Sequence, residues 1–435
     1  MIRFYNAQIL TMNPAEQDGG LSIFLGEVHV ENDRICKVIK GAFAPGEKET
    51  FEREIDCEDN LLLPGFKNAH THSAMTFLRS NADDLPLQEW LNNQVFPYEA
   101  KLTGDDIYTL TKLAILEYLS GGTTAVMEMY LNPDRTADAF IDAGMRVVQT
   151  SAINNFNDSV EKLEDWYLRL NGKNPLSSFR LGFHAEYTTS VEMIREIAAL
   201  AAKYEAPVYT HIAETKTEVD ECIARYGKTP VALLCDEGIF RYGGAGYHLV
   251  HTTEDDRKRM KEHGVSVVTN PASNLKLASG IAPVADYLKD GIAVAIGTDG
   301  PASNNCLDMF REMFLVTALG KYRENDASAI PADAVLKMAL SDGADIIGLP
   351  EANCLAEGKF ADLFLLDIRQ PNMQPVNNLL KNIVYSGSKS NVILTMVGGK
   401  ILYERNNDID RAFHIDCKPS DLYEEAEKIR RRILG

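Results

Sequence analysis

Eight short apolar runs alternate with amphipathic segments between about residues 60 and 350, and this alternation limits the possible folds more than any other feature. The runs are nearly continuous in Val, Ile, Thr and aromatic residues, which is typical of parallel strands buried on both faces. They lie at 61–72, 123–130, 145–152, 179–186, 206–214, 247–253, 265–271 and 293–300. Eight strand–helix units predict a closed (β/α)8 barrel, and so an α/β fold.

Segments with helical periodicity fill the intervals between these runs. They cover 107–119, 159–170, 191–204, 218–226, 254–262 and 282–290. Gly121, Gly144, Gly227, Gly264 and Gly291 follow helix ends, where a glycine in left-handed backbone commonly stops a helix. Strands that alternate with helices favour a parallel sheet.

The two chain ends contain short strand-like stretches and little helical pattern. Each end alone is too small to bury a good core. We therefore predict one discontinuous β-sandwich made of 1–60 and 355–435, next to a barrel at 61–354. An amphipathic helix at 419–434 closes the chain.

The charge balance restricts the class of partner. Lysine and arginine total 44 against 63 aspartate and glutamate, a formal charge of −19. An acidic chain is poorly suited to a phosphate backbone or an anionic membrane surface, so we expect a small-molecule partner, with no nucleic acid and no membrane. Scattered cysteines without a C-x-x-C pair, and the lack of a signal-like or membrane-spanning run, predict a cytoplasmic protein. A homo-oligomer is left open.

Ionisable residues collect at the predicted carboxyl ends of the strands, where barrel enzymes carry their catalytic groups. They are His70, His72, Glu128, His184, Glu186, His211, Glu214, His248, His251 and Asp299. Six of the nine histidines are in this set. The other three, His29, His263 and His414, are expected at the surface or at helix ends.

His70 and His72 are the first candidate metal ligands. Alternate residues of a strand point the same way, so both imidazoles can share one ion. His211 and Asp299 supply a third imidazole and a carboxylate, a set that suits Zn²⁺, with iron or manganese as alternatives. The alternatives from the residues alone are half-buried strand histidines, a core histidine at 211 and a turn aspartate at 299.

Glu214 and His248 are the candidate proton-transfer groups. Glu214 follows His211 by three residues, and a carboxylic acid beside the metal could protonate a substrate nitrogen during C–N cleavage. It could equally be a carboxylate at a helix N-terminus. His248 is expected to contact the activated water and the developing negative charge, whereas His251 faces the other way and is expected to be structural.

Four segments carry a family resemblance. They are PGFKNAHTHSAMTFLRSNADDLPLQEWL (64–91), THIAETKTEVDE (210–221), NPASNLKLASGIAPV (270–284) and GTDGPASNNCLDMFREM (297–313). They resemble the amidohydrolase superfamily, and within it the 5-methylthioadenosine/S-adenosylhomocysteine deaminases and their chlorohydrolase-like relatives. The resemblance covers nearly the whole chain.

The resemblance implies a role for each residue that matches a family motif. The implied ligands of one divalent ion are His70, His72, His211 and Asp299. Glu214 matches the proton shuttle and His248 a catalytic histidine, with Asp299 also orienting the nucleophile. Trp90 would pack on the base and Glu99 would hold the ribose hydroxyls. His184 would hydrogen-bond the purine ring.

Three departures from the family pattern concern the substrate. Glu186 stands where proline is common and adds a charge near the pocket. His248 begins His-Leu-Val-His, whereas relatives have His-Cys before the valine. The stretch 147–156 has no arginine where relatives often have arginines that contact the nucleoside.

These observations predict a zinc-dependent aminohydrolase that deaminates adenosine, 5′-methylthioadenosine or S-adenosylhomocysteine. One alternative keeps the site and changes the substrate to a free base or other N-heterocycle of the guanine, cytosine, pterin or triazine type. A second alternative is a catalytically silent barrel that acts as a scaffold.

Overall fold

The computed structural model describes residues 1–16, 20–41, 50–81 and 83–435. In chain order its strands are β1 (Ile2–Leu10), β2 (Ile23–Glu31), β3 (Arg34–Lys40), β4 (Arg53–Asp56), β5 (Leu61–Pro64), β6 (Phe66–Thr71), β7 (Thr123–Met129), β8 (Arg146–Thr150), β9 (Ser177–Ala185), β10 (Val208–Ile212), β11 (Gly244–His248), β12 (Val265–Thr269), β13 (Val294–Ile296), β14 (Leu363–Leu366), β15 (Val392–Val397) and β16 (Lys400–Glu404). They form two eight-stranded sheets.

The helices connect and cover these strands. In chain order they are α1 (Leu87–Trp90), α2 (Phe96–Glu99), α3 (Gly104–Ser120), α4 (Pro133–Ala143), α5 (Val160–Leu170), α6 (Val191–Tyr204), α7 (Lys216–Tyr226), α8 (Pro230–Asp236), α9 (Glu254–Glu262), α10 (Pro271–Lys276), α11 (Val284–Asp290), α12 (Met309–Glu324), α13 (Ala332–Ala339), α14 (Ser341–Ile346), α15 (Leu379–Tyr385), α16 (Ile409–Ala412) and α17 (Pro419–Leu434). In the described part of the chain, no helix has the length and apolar character that crossing a bilayer requires.

Strands β6 to β13 pair in chain order and all in parallel, which confirms the predicted barrel. The ring closes between its last and first strands. The Asp299 amide donates to the His70 carbonyl at 3.0 Å, and Thr298 and Asn68 exchange two further hydrogen bonds of 2.7 and 2.9 Å. The seam of the barrel therefore runs through two of the candidate metal ligands.

The first predicted barrel strand, 61–72, is two strands. The chain bends at Gly65, so that β5 pairs with β1 and β14 of the other sheet while β6 begins the barrel. A Cβ atom at Gly65 would lie 2.0 Å from a methyl carbon of Thr124, so only glycine permits this close approach.

The second sheet draws on both chain ends, as predicted for the smaller β unit. Its order is β16-β15-β14-β5-β1-β2-β3, with β4 also paired to β1, so both ends hydrogen-bond as one continuous mixed sheet. Its apolar side chains form a separate cluster that includes Phe4, Val28 and Leu363. The division at 61 and 354 into two domains stays a prediction.

Two expectations about single residues are corrected by the structure. His29 is 1% exposed, because its ring is enclosed by Glu27, at 3.1 Å, and by the ring of Phe51. Gly121 has a φ of −98°, and the left-handed residue after α3 is Gly122, because this helix runs to Ser120. Gly144, Gly227, Gly264 and Gly291 have the expected positive φ.

A buried ion pair joins the barrel to the second sheet. Arg146 at the start of β8 contacts both carboxylate oxygens of Asp362, at 2.8 and 3.1 Å, and both side chains are at most 3% exposed. The carboxylate also accepts from the Gly398 amide at 2.8 Å.

We expect Asp362→Ala to lower the free energy of unfolding by about 3–5 kcal/mol, because it leaves the Arg146 guanidinium buried without its partner. Urea unfolding followed by circular dichroism measures this. The control is Asp220→Ala, which removes an exposed ion pair with Lys216 and should cost less than about 1 kcal/mol. Equal losses in the two variants would contradict a special role for the buried pair.

Candidate active site

A cavity of about 550 Å³ opens at the carboxyl ends of the barrel strands. Its walls come from loops after several strands and from the helical stretch between β6 and α3. Eight of the nine predicted site residues line it, namely His72, Trp90, Glu99, His184, His211, Glu214, His248 and Asp299. The ninth, His70, is fully buried against them, with its Nε2 atom 3.2 Å from Nε2 of His211.

The donor atoms of the candidate metal ligands form two groups that share His70, one with His72 and Asp299 and the other with His211 and His248, each within 4.8 Å. His72 Nε2 lies 3.2 Å from Asp299 Oδ1, and His70 Nε2 lies 3.6 Å from the same oxygen. A tetrahedral zinc ion with ligands at about 2.1 Å would separate them by about 3.4 Å. The separations of the His70, His72 and Asp299 donors, and the 3.2 Å between His70 and His211, are close to this spacing.

Backbone carbonyls fix the tautomers of two of these histidines. Nδ1 of His211 faces the His184 carbonyl at 2.6 Å, and Nδ1 of His72 faces the Met129 carbonyl. Because a carbonyl oxygen can only accept, each Nδ1 must carry the proton, so in the neutral ring Nε2 has the free lone pair. Burial lowers the pKa of His70 and of His211 well below the usual value, which also favours neutral imidazole.

The Asp299 carboxylate is held by hydroxyl and amide donors. Ser273 Oγ and Ser303 Oγ donate to Oδ2 at 2.6 and 3.0 Å, and the Gly300 amide donates to Oδ1 at 2.7 Å. Although burial opposes it, the neighbouring imidazoles, His72 first, hold the pKa of Asp299 well below its usual range. Burial of the imidazole alone would lower the pKa of His72. The Asp299 carboxylate outweighs this effect and raises that pKa to about 9. A buried carboxylate of this kind requires a positive partner, and a bound cation would provide one.

Glu214 is presented on a short, tightly held turn after β10. The carboxylate of Glu218 accepts from the Ala213 amide at 2.7 Å and from the Glu214 amide at 2.8 Å. Glu214 itself is 5% exposed, and burial raises the pKa of its carboxyl group. Its side chain is outside the two ligand clusters that the donor atoms form, so its carboxyl group lies free of them.

His248 ends β11 between the acid and the ligand cluster. Its Nε2 atom lies 3.9 Å from Glu214 Oε2 and 3.9 Å from Asp299 Oδ2. Asn274 Oδ1 accepts from Nδ1 at 2.7 Å, which fixes the orientation of the ring. His251 faces away and binds the Ser279 carbonyl at 2.7 Å.

Left-handed backbone is concentrated at these strand ends. Ala213, His248, Leu249 and Asp299 have φ values of 51°, 72°, 46° and 58°. Such conformations cost a non-glycine residue about 1–3 kcal/mol and persist only where surrounding contacts enforce them. Here they turn the side chains of three strands towards one cavity.

A π-helical turn, Leu91–Val95, joins α1 to α2 and carries the outer wall of the cavity. Trp90 and Glu99 flank this turn, and the indole Nε1 and Glu99 Oε1 have no hydrogen-bond partner among the described residues. Tyr130 lies next to Glu99 without reaching hydrogen-bond geometry, and burial raises the pKa of Glu99 to about 7. Buried polar atoms without partners at a cavity wall are typical of groups that a ligand satisfies.

His184 lies on the wall opposite, at the end of β9. Its Nδ1 is 2.9 Å from Thr188 Oγ1, whose own proton is donated to the Ala185 carbonyl at 3.1 Å. Nδ1 therefore donates, and Nε2 remains an acceptor. Burial lowers the pKa of His184 to about 4, so the ring is neutral.

Two carboxylates near the site have structural partners. Glu186 is bound by Arg225, with both carboxylate oxygens 2.9 Å from one guanidinium nitrogen, so its charge is compensated outside the cavity. Glu128 accepts from the Ser73 amide at 3.0 and 3.1 Å and from the Ser73 hydroxyl. It thereby fixes the chain immediately after His72.

The sequence interpretation missed the residues that support the site. They are Tyr130, Glu218, Ser273, Asn274 and Ser303. Ser273 and Asn274 lie within the segment 270–284 that carries the family resemblance, which was a usable signal. Glu218 and Ser303 likewise lie within the segments 210–221 and 297–313, whereas Tyr130 lies outside all four segments and had no such signal.

Comparisons with known proteins agree with this geometry. The sequence model of the amidohydrolase family matches residues 61–402. A protein of Syntrophomonas wolfei named 5-methylthioadenosine/S-adenosylhomocysteine deaminase is 41% identical over 420 residues, which is 94% of this chain and 95% of the relative. The crystal structure of an adenosine deaminase from Xanthomonas campestris with bound zinc superposes with a TM-score of 0.91 at 32% identity, over 100% of this chain and 98% of that one. Atrazine chlorohydrolase from Arthrobacter aurescens has the same fold, with a TM-score of 0.86 at 20% identity over 99% of this chain and 100% of that one.

Proposed function

The chain belongs to the amidohydrolase family, and from this premise we propose that it is a metal-dependent deaminase of adenosine-type nucleosides. The substrates proposed are adenosine, 5′-methylthioadenosine and S-adenosylhomocysteine. Water replaces the exocyclic amino group of the purine, and the products are the inosine-type nucleoside and ammonia. The observation that carries the proposal is the ligand cluster with a buried acid, Glu214, beside it.

We assign His70, His72, His211 and Asp299 as the ligands of one divalent ion. Three pairs of these donor atoms, His70–His211, His70–Asp299 and His72–Asp299, are 3.2–3.6 Å apart, which suits ligands of Zn²⁺, and iron or manganese would use the same set. An ion bound there supplies a water molecule activated for attack at neutral pH. Asp299, with its second oxygen held by Ser273, orients that water.

Glu214 and His248 move the protons. Because burial raises the pKa of Glu214, this group can hold a proton and deliver it to the ring nitrogen next to the attacked carbon. The same carboxylate can then take a proton from the water and pass it to the departing amine. His248 hydrogen-bonds the oxygen that adds to the ring, and Asn274 keeps its imidazole in place.

Three wall residues bind the rest of the nucleoside. Trp90 packs against the base, and the acceptor Nε2 of His184 receives a hydrogen bond from the exocyclic amino group of the purine, because the ring nitrogens of adenine are themselves acceptors. Glu99, whose buried Oε1 has no partner among the described residues, accepts hydrogen bonds from the ribose hydroxyls. The proposal is tested first by an ammonia-release screen over these nucleosides, 5′-deoxyadenosine, guanine, cytosine and pterins. No release from any of them, with metal bound, would favour a silent scaffold.

We expect His211→Ala to lose the bound ion and the activity together, because the remaining ligands hold zinc poorly in an open site. Elemental analysis of protein purified from zinc-supplemented medium measures the ion. His414→Ala, at an exposed histidine far from the cavity, is the control and should keep one equivalent. A full equivalent of metal in His211→Ala would remove this residue from the ligand set.

Glu214→Gln should retain the metal while kcat falls by about 10²–10⁴, because the amide cannot transfer the proton. Glu221→Gln, at an exposed position on α7, controls for the loss of a negative charge and should leave kcat unchanged. Near-normal turnover in Glu214→Gln would exclude the acid role, and loss of metal would make Glu214 a ligand.

A third prediction separates a nucleoside from a free base. Hydrogen bonds to a charged acceptor contribute ~1.5–3 kcal/mol each, so 2′-deoxy and 3′-deoxy substrates should lose about 10-fold or more in kcat/KM. Glu99→Ala should abolish most of this discrimination and keep the metal, whereas Glu89→Ala, exposed on α1, should preserve it. Equal kcat/KM for ribo- and deoxyribonucleosides before and after the substitution would favour a free base or another heterocycle.

A further inference from the structure

The charges in the cavity are distributed unevenly. The described residues that line it include three carboxylates, Glu99, Glu214 and Asp299, and none of them is a lysine or an arginine. Asp299 lies in the ligand cluster, where a metal ion would compensate it, and Glu214 lies beside the cluster. Glu99 lies on the outer wall, where the described lining includes no lysine or arginine.

Cationic side chains next to the cavity are already bound to other groups. Arg225 contacts both oxygens of Glu186, at 2.9 Å each. Lys276, which precedes the lining residue Leu277, is bonded to Asp83 and Asn305. Lys101 donates to the Ile433 carbonyl at 3.0 Å. Recruiting one of these groups to an anion in the cavity would break contacts that it already makes.

Away from the cluster and Glu99, much of the wall is apolar. Its apolar members are Met75, Leu87, Trp90, Leu91, Val95, Phe96, Met129, Leu131, Phe156 and Leu277. Phe96 and Phe156 are 40% and 88% exposed although both line the cavity. Large aromatic side chains exposed at a cavity rim can bury surface against an apolar ligand group.

The proposed function fixes which part of a substrate meets this wall. The purine carbon that reacts must lie at the ligand cluster, and the 2′- and 3′-hydroxyls at Glu99. The substituent on C5′ is then directed to the remaining wall, where Phe156 and its apolar neighbours lie. A carboxylate or phosphate carried there would meet the amide side chains of Asn154 and Asn157 but no cationic partner, so any water that it lost would not be replaced by an opposite charge.

We propose that this cavity selects adenosine-type nucleosides whose 5′ substituent carries no anionic group. This inference rests on the proposed function and narrows its substrate class. Among the three substrates named above, it favours 5′-methylthioadenosine and disfavours S-adenosylhomocysteine, whose side chain ends in a carboxylate. Dispersion and burial of apolar surface supply the attraction, and the desolvation of an unpaired anion supplies the discrimination.

The test compares kcat/KM for four compounds that share the same nucleoside. They are 5′-methylthioadenosine, 5′-butylthio-5′-deoxyadenosine, decarboxylated S-adenosylhomocysteine and S-adenosylhomocysteine. The butylthio compound matches the length of the amino-acid side chain without its charges, and the decarboxylated compound lacks only the carboxylate. We expect the first three to agree within about 10-fold and S-adenosylhomocysteine to be lower by about 100-fold or more.

Each other result has a defined meaning. S-Adenosylhomocysteine turned over as well as its decarboxylated analogue would overturn the inference. If kcat/KM for the butylthio compound were as low as for S-adenosylhomocysteine, the length of the 5′ substituent and not its charge would explain the discrimination. That result would also overturn the inference. If the enzyme deaminated none of the four compounds, this result would instead contradict the proposed function.

A charge introduced at the rim provides an independent measurement. Phe156→Arg should raise kcat/KM for S-adenosylhomocysteine relative to the butylthio compound by about 10-fold, and added salt should reduce this gain. Phe156→Gln is the matched control, because it removes the aromatic ring without adding charge. It should not raise kcat/KM for S-adenosylhomocysteine relative to the butylthio compound. A ratio that Phe156→Arg does not change, in protein that retains its metal, would contradict the electrostatic explanation.

Discussion

The closure of the barrel is the constraint on which the site depends. The last strand meets the first where the Asp299 amide binds the His70 carbonyl, so the seam and the ligand cluster share residues. A Cβ atom at Gly297 would lie 2.4 Å from Asn270 Oδ1 and 2.9 Å from the His70 amide nitrogen. Glycine there lets the last strand, β13, approach the first strand, β6, closely enough to bring the candidate ligands His70 and Asp299 together.

Carboxylates around this seam hold backbone segments in place. Glu218 binds the turn that carries Glu214, and Glu128 binds the chain after His72. Glu312 accepts from the Ala272 amide at 3.1 Å and from Asn304 at 2.8 Å, next to the serines that hold Asp299. Each is buried and accepts several hydrogen bonds, which offsets much of the cost of its burial. The left-handed backbone of the site persists because these contacts restrict the alternatives.

One end of the cavity is polar and holds the ligand cluster and Glu214, whereas much of the outer wall is apolar. This division would allow one site to be both reactive and selective. Groups at the polar end would interact with a purine through fixed hydrogen bonds and charges, which are strong where water is excluded. The outer wall contributes mainly apolar surface, together with one carboxylate, Glu99. The proposed selectivity depends on this division, because it concerns the substituents that a substrate carries away from the reacting carbon.

The amino-acid sequence by itself determined the architecture and the place of the chemistry. Buried parallel strands and amphipathic helices have distinct periodicities, and barrel enzymes carry their catalytic groups at the carboxyl ends of the strands, so local pattern was sufficient to predict the barrel and to propose His70, His211, Glu214 and Asp299 as site residues. Only the tertiary structure decided how these groups are held. The pairing of Glu186 with Arg225 joins residues 39 apart in the chain, and that of Asp299 with Ser273 joins residues 26 apart. The division of 61–72 at Gly65 likewise depends on Thr124, which packs against it. Periodicity records which face of an element is buried, whereas the partner that it meets there depends on the closed three-dimensional barrel.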